Sequence, residues 1–268
     1  FSLLSLLTVA AETPSDVEVR IIDEQVEDIP WEEPADLVGI TCMTAAAPRA
    51  YWIAARYRER GVPVVLGGVH PTLFPEEALE HADAIVVGDA EGIWPEVLAD
   101  ARSGRLRDRY RAAAPPDLKG MKPLPRHLLA GDRYSTVQSV QATRGCPHGC
   151  NFCTVAAFHD RVHRRRPVHE VAQEIAGLPG RFFVFVDDNL PADREYAREL
   201  FEALVPLKKR WITQATLSMA DDAAFVRLAA EAGCIGVFVG LETFSSENLD
   251  GAGKACNRVE KYREWVRR

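Results

Sequence analysis

The sequence predicts an α/β protein made of two successive βα series: a doubly wound parallel sheet, then a second parallel series of strands and helices. Three observations carry this. Between residues 17 and 104 short apolar runs alternate with helical stretches, and glycines follow the strand ends. Pro115, Pro116, Pro123 and Pro125 then break the pattern among charged residues. From residue 137 the alternation resumes and continues to the last residue. The expected organisation is a first domain at 1–104, a linker at 105–135 and a second domain at 136–268.

In order, Leu3–Ala11 reads as a helix stopped before Pro14. Val17–Ile22 alternates apolar and polar residues and reads as a strand. Ala35–Ile40 is a second strand, and Pro48 opens a helix running to Arg60 and ended by Gly61. Val62–Leu66 is a third strand, delivering Gly67 and Gly68. A short helix at Pro75–His81, a strand at Ala84–Val87 ending in Gly88, and a helix at Glu91–Arg102 complete the series. In the second series, strands are expected at Val137–Thr143, Arg181–Val186, Trp211–Leu217 and Ile235–Leu241. Helices are expected at Val168–Leu178, Ala192–Leu204 and Asp221–Ala232, with another opening at Asn257 and running to Arg268.

Composition narrows the function classes. At 268 residues, with 47% hydrophobic and 26% charged, the chain can build two ordinary globular cores. A net charge of −7 argues against a general nucleic-acid binder. No run of apolar residues is long enough to span a membrane. The opening FSLLSLLTVAA has no basic residue before it, so it is a poor signal peptide. Six cysteines, three of them in one loop, fit a reducing cytoplasm.

That loop, Arg144 to Thr154, reads RGCPHGCNFCT and spaces Cys146, Cys150 and Cys153 as C-x3-C-x2-C. Three thiolates on one short loop can hold three corners of a cubane iron–sulfur cluster and leave the fourth iron open to a chelating ligand. A zinc site completed by His148, His159 or His163, or a disulfide framework, are the other readings of the cysteines. The following strand ends carry Asp187, Asp188 and Asn189, then Gln214 and Thr216, then GVFVGLE from Gly236 to Glu242. In a parallel barrel these ends share one mouth, although 187–189 could equally cap the next helix. In the first series Thr41–Thr44, Gly67–Thr72 and Gly88–Glu91 converge on the carboxyl edge, where such sheets bind ligands. Glycines there let a large ligand approach the backbone. The basic run Arg161–Arg166 reads either as an anion contact or as a solvated face paired with acidic residues of the next helix. Cys42, Cys234 and Cys256 read as ordinary buried thiols.

The cysteine spacing, with Phe152 before the third cysteine, resembles the signature of the radical S-adenosylmethionine (SAM) enzymes. GVFVGLE is similar to their G-x-[IV]-x-G-x-x-E pattern, with Phe238 at a usually aliphatic position. VDDN, GITCMTAAAPRAYWIA, VVLGGVHPTLFPEEAL and VVGDAEGIWPEVL resemble the subgroup with an amino-terminal cobalamin-binding domain, a group that includes the hopanoid methylases. The resemblance implies a flavodoxin-like cobalamin domain followed by a radical SAM partial barrel. It implies a [4Fe-4S] cluster on Cys146, Cys150 and Cys153. It implies SAM contacts from Phe152, Asp187, Asp188, Asn189, Gln214 and Glu242. It further implies cobalamin contacts from Thr41, Met43, Thr44, Gly67, Gly68, His70, Gly88 and Glu91. The D-x-H-x-x-G motif that gives cobalt a histidine in many cobalamin domains is absent, so His70 is either a metal ligand or a hydrogen-bonded loop histidine.

The implied activity is methylation of an unactivated carbon of a small-molecule or lipid substrate, using a 5′-deoxyadenosyl radical and an external electron donor of flavodoxin or ferredoxin type. The rival readings are a cyclisation or rearrangement without methyl transfer, and an iron–sulfur electron-transfer protein that leaves SAM intact. Against the family, both domains look incomplete. The first strand of a 2-1-3-4-5 sheet is not found between Val17–Ile22 and Ala35–Ile40, and the barrel has fewer βα units than the family's.

Overall fold

The computed structural model describes residues 4–136 and 138–268. Leu3 and Val137, which open two of the expected elements, lie outside the described residues. The chain divides into two compact units, residues 4–117 with Lys122–Tyr134, and Leu118–Met121 with Ser135–Arg268.

The first unit opens with α1 (Leu4–Glu12) and holds a parallel sheet in the order β1 (Val38–Thr41), β2 (Val64–Gly67), β3 (Ala84–Val87), β4 (Arg109–Arg111). Successive side chains point to opposite faces of a strand, and both faces here are apolar. Val64, Leu66, Ile85 and Val87 pack on Ala54 and Tyr57 of α2 (Ala47–Glu59) and Ala78 of α4 (Pro75–Glu80), which follows the short α3 (Val69–Leu73). Val65, Ala84, Val86 and Tyr110 pack on Trp94, Val97 and Leu98 of α5 (Trp94–Arg102), with Val9 of α1 against them. Helices on both faces make this the doubly wound sheet the sequence predicts.

Two elements differ from expectation. In Val17–Ile22 the valines are half-buried and Glu18 and Arg20 exposed, yet the segment joins no ladder among the described residues. Alternation reports one-sided cover, whereas a strand also needs a neighbour's amides and carbonyls. Conversely, β4 lies in the stretch expected to be linker. Its Arg-Tyr-Arg sequence carries no apolar run, but Tyr110 is buried and its hydroxyl donates to Asp100 at 2.8 Å.

The second unit holds a parallel sheet in the order β10 (Cys234–Val239), β9 (Arg210–Ala215), β8 (Phe182–Phe185), β5 (Ser139–Val140). One face is covered by α7 (Val168–Gly177), α8 (Arg194–Leu204) and α9 (Ala223–Glu231). There Val171, Ile175, Leu200, Phe201 and Phe225 meet Phe183, Phe185 and Trp211. Carboxylates set the helix starts: Asp193 accepts from the Tyr196 amide and Asp222 from the Phe225 amide, both at 3.0 Å. That cap starts α8 at Arg194 rather than Ala192. The expected strand at 137–143 is split. After Val140 the chain leaves the sheet, and β6 (Thr143–Arg144) pairs antiparallel with β7 (Arg164–Arg165). The helix expected from Asn257 forms as α11 (Tyr262–Arg267), and α6 (Thr154–Phe158) and α10 (Ser246–Gly251) are additional. Among the described residues no helix is long and apolar enough to cross a membrane.

Candidate functional site

At the carboxyl edge of the first sheet, three loops are bonded into one rim. The Cys42 amide donates to the Gly67 carbonyl and the His70 amide to the Cys42 carbonyl, each at 3.1 Å. The Thr72 hydroxyl donates to the Gly68 carbonyl at 2.8 Å and accepts from the Gly88 amide at 2.9 Å. Gly68 has φ +94°, and a Cβ there would lie 2.5 Å from Thr41 Oγ1 and 3.0 Å from the Cys42 carbonyl oxygen. Glycine at 68 is therefore required by the neighbouring loop. Gly67 has ordinary space, with Val86 Cβ at 3.8 Å. At Gly88, φ +87°, a Cβ would meet nothing within 4 Å, so the front of β3 is open. Met43 and Thr44 are exposed, and Thr41 and Glu91 half-buried, along this rim. A backbone rim with open space before it fits the approach of a large flat ligand such as a corrinoid.

His70 is buried behind the rim. Its Nε2 lies 2.7 Å from the Tyr51 hydroxyl, which also donates to Glu77 at 3.1 Å, and its Nδ1 lies 3.4 Å from Thr44 Oγ1. Both ring nitrogens thus have hydrogen-bond partners, which fits the hydrogen-bonded loop histidine of the two readings. Burial, and then Glu77, hold the Tyr51 hydroxyl protonated well above the usual phenol range.

In the second unit, three consecutive side chains beyond β8 hold the chain that leads into the cysteines. Asp187 is fully buried; it accepts from the Ala142 amide at 3.1 Å, from the Thr143 amide, and from the Thr143 hydroxyl at 2.7 Å. Giving these amides to a carboxylate is what ends the β5 ladder at Val140. Burial pushes Asp187 up to about 7, opposed by the Thr143 and Ala142 donors. Asp187 thus departs from the expected SAM contact: both its oxygens are turned to backbone. Asp188 accepts from the Gly145 amide at 2.9 Å. Asn189 places Nδ2 3.6 Å from Cys146 Sγ and accepts at Oδ1 from the Thr216 amide at 3.3 Å. Gly145 has φ +85°, and a Cβ there would strike the Val162 carbonyl.

Cys146, Cys150 and Cys153 are half-buried free thiols, with Cys153 at the start of α6. Among the described residues no three His, Cys, Asp or Glu side chains close on a point for a single ion. Zinc would draw every sulfur to about 2.3 Å from one centre, whereas a cubane takes one thiolate per iron. Three free thiols on one loop, one of them facing an N–H donor, fit a cluster of that kind.

The loop is fastened to the segment after α10. The Asn151 amide donates to the Ala252 carbonyl at 3.1 Å and its side chain to the Gly251 carbonyl at 2.8 Å. Next comes Lys254, only 9% exposed, ion-paired with Glu242 and with Nζ 5.7 Å from the centre of the Phe152 ring. Burial pushes the Cys150 thiol up and the Lys254 charge opposes it. Lys254 was not anticipated; its sequence signal is a lysine between small residues, twelve positions after Glu242. Phe152 is 54% exposed, free to cover a bound group. Gln214 and Phe238 are register partners on β9 and β10, both exposed, and so lie side by side on the face the helices leave open. Burial pushes the Cys256 thiol up and the Lys254 charge opposes it. Two arginines of the basic run have acidic partners: Arg165 pairs with Asp193, and Arg166 with Glu174 of α7 at 2.6 Å.

Residues 6–98 match the B12 binding domain family and residues 140–268 the Radical SAM superfamily. The chain is 32% identical to the bacteriochlorophyllide d C-8(2)-methyltransferase of Chlorobaculum tepidum, over 97% of this chain and 62% of that protein. It is 27% identical to the hopanoid C-2 methylase of Rhodopseudomonas palustris, over 98% of this chain and 52% of that one. Its fold is similar to that of the radical S-adenosylmethionine methyltransferase TsrM from Kitasatospora setae, with TM-score 0.71 and 20% identity over 88% of this chain and 55% of that chain. The chain therefore spans between about half and two thirds of the length of the proteins it matches.

Proposed function

Because this chain belongs to the radical SAM proteins that carry a B12 binding domain, we propose that it serves a cobalamin-dependent radical SAM enzyme. Its reaction would be methylation of an unactivated carbon of a small-molecule or lipid substrate. The observation that carries this reading is the loop of three free thiols held by Asp188 and Asn189 and fastened beside Lys254. When bound, the cluster and SAM would supply a 5′-deoxyadenosyl radical for hydrogen abstraction, and cobalamin the methyl group.

The chain's own residues have distinct tasks in this reading. Cys146, Cys150 and Cys153 hold the cluster. Phe152 covers the SAM side from water. The Lys254 and Glu242 pair presents one charge of each sign to the carboxylate and ammonium of the methionine moiety. Gln214 lines the open sheet face where the reacting parts meet. Asp187, Asp188 and Asn189 serve as the frame of the loop, the first of them without touching SAM. In the domain at 1–104, Thr41, Met43, Thr44, Gly67, Gly68, Gly88 and Glu91 receive the corrinoid, and His70 braces Thr44 from behind. The domain at 136–268 contains the radical chemistry. An external flavodoxin or ferredoxin would deliver the electron, and the oxygen-sensitive thiols suit the cytoplasm.

The test is anaerobic incubation with methyl-labelled SAM, cobalamin and a cell lipid extract, followed by product mass analysis. Methylation gives a labelled product together with S-adenosylhomocysteine and 5′-deoxyadenosine. A rearranged product without label would replace it with radical chemistry lacking methyl transfer. Intact SAM under reducing conditions would leave an electron-transfer protein.

A further inference from the structure

We propose that Asn189 is a positioning residue that sets the reduction potential of the cluster through a hydrogen bond to Cys146; this rests on the cluster reading above. The Asn189 side chain is 2% exposed, and its Nδ2 lies 3.6 Å from Cys146 Sγ. Its other end decides which way the amide points. The Thr216 backbone amide lies 3.3 Å from Oδ1, and a backbone N–H can only donate. The oxygen must therefore face Thr216, which leaves the NH₂ group facing the sulfur.

The geometry is held from both sides. Asp188 fixes the Gly145 amide one residue before Cys146, and Asp187 fixes Thr143 two residues before that. Leu190 and Pro191, immediately after Asn189, are buried. The donor thus reaches a sulfur on the residue that follows Gly145, whose amide is bonded to the neighbouring Asp188 side chain. Electron density on the cysteine sulfurs rises when a cluster is reduced, so an N–H aimed at one of them favours the reduced state and raises the potential. Cys150 has a different electrostatic neighbour, the Lys254 ammonium. The two cysteines are consequently not equivalent.

Asn189→Asp keeps the size and the acceptor for the Thr216 amide, and turns a carboxylate oxygen toward the sulfur instead of a donor. Asn189→Ser is too short to reach the sulfur and adds no charge. Each variant is reconstituted anaerobically beside the wild type, its iron and sulfide counted, and its cluster titrated with dithionite by electron paramagnetic resonance. We expect wild-type iron content in at least one variant and a midpoint shifted to lower potential, further in Asn189→Asp than in Asn189→Ser. A loaded variant at the wild-type midpoint would overturn the proposal. Loss of the cluster in both variants would also overturn it, making Asn189 a structural residue. A wild-type protein that takes up no cluster would refute the cluster reading itself, a separate result.

Discussion

The Lys254 ammonium is ion-paired with the Glu242 carboxylate at the wall of the cysteine loop, 5.7 Å from the Phe152 ring centre. This contact joins the end of β10 to the segment that fastens the loop. Lys254 also opposes the effect of burial on Cys150. Lys254→Met should therefore push the Cys150 thiol further up. In cluster-free protein, Cys150 alkylation should need higher pH than in the wild type, and Lys254→Arg should keep the wild-type profile. Because Glu242 is about a third exposed, the stability loss should stay below the roughly 3–5 kcal/mol of breaking a fully buried pair. Mass spectrometry of alkylated Cys150 across pH, with denaturant unfolding alongside, checks both.

Gly145 is the hinge into the loop. Gly145→Ala meets a left-handed φ of +85° and the Val162 carbonyl at once. The conformational term alone is about 1–2 kcal/mol, and the backbone collision adds to it. Asp188→Ala strands the Gly145 amide and should cost about 1–3 kcal/mol. Both variants should bind less iron than the wild type on reconstitution, Gly145→Ala the less of the two.

Adjacent glycines at the carboxyl edge of the first sheet should behave differently. Gly68→Ala forces its Cβ against Thr41 and Cys42, whereas Gly67→Ala finds ordinary van der Waals space. Bound cobalamin, read by absorbance after desalting, should fall further in the first variant than in the second. Bound cob(II)alamin should show no imidazole nitrogen splitting from His70, whose two nitrogens are already engaged.

Asp187 should give stability a pH dependence of its own. Its native carboxyl is pushed up to about 7, against about 4 for an unfolded aspartate. Between these values the native state holds a proton that the unfolded state has lost. Stability from this group is complete below about pH 4 and is lost as pH rises through about 7. Asp187→Asn should flatten that slope. It should also lower stability by about 1–3 kcal/mol, because its NH₂ faces the Ala142 and Thr143 donors. Urea unfolding of both proteins across this pH window reads the two effects.

Where a stretch's own residues decided its fate, the sequence was informative. β1, β2 and β3 are visible as apolar runs, and the cysteine spacing marks its loop without any partner in view. β4 was hidden because its only apolar residue is Tyr110, flanked by exposed arginines. Val17–Ile22 misled for the opposite reason, since alternation says nothing about a neighbour's backbone. At the site, the strand-end positions of Asp187, Asp188 and Asn189 were legible, but their partners were not. Which carboxylate holds Ala142 and which meets Gly145 depends on contacts more than forty residues away in the chain. Lys254 escaped for the same reason: its tie to Glu242 and its nearness to Cys150 exist only after β10 and the cysteine loop are folded.

In the proposed reaction Cys146, Cys150 and Cys153 together hold the cluster that would cleave SAM. The most direct measurement is 5′-deoxyadenosine formed from SAM by anaerobically reconstituted, dithionite-reduced protein, wild type beside Cys150→Ala. We expect steady formation by the wild type, with iron near the value for one cubane, and none above background in Cys150→Ala. Cys150→Ala forming 5′-deoxyadenosine at the wild-type rate would contradict it.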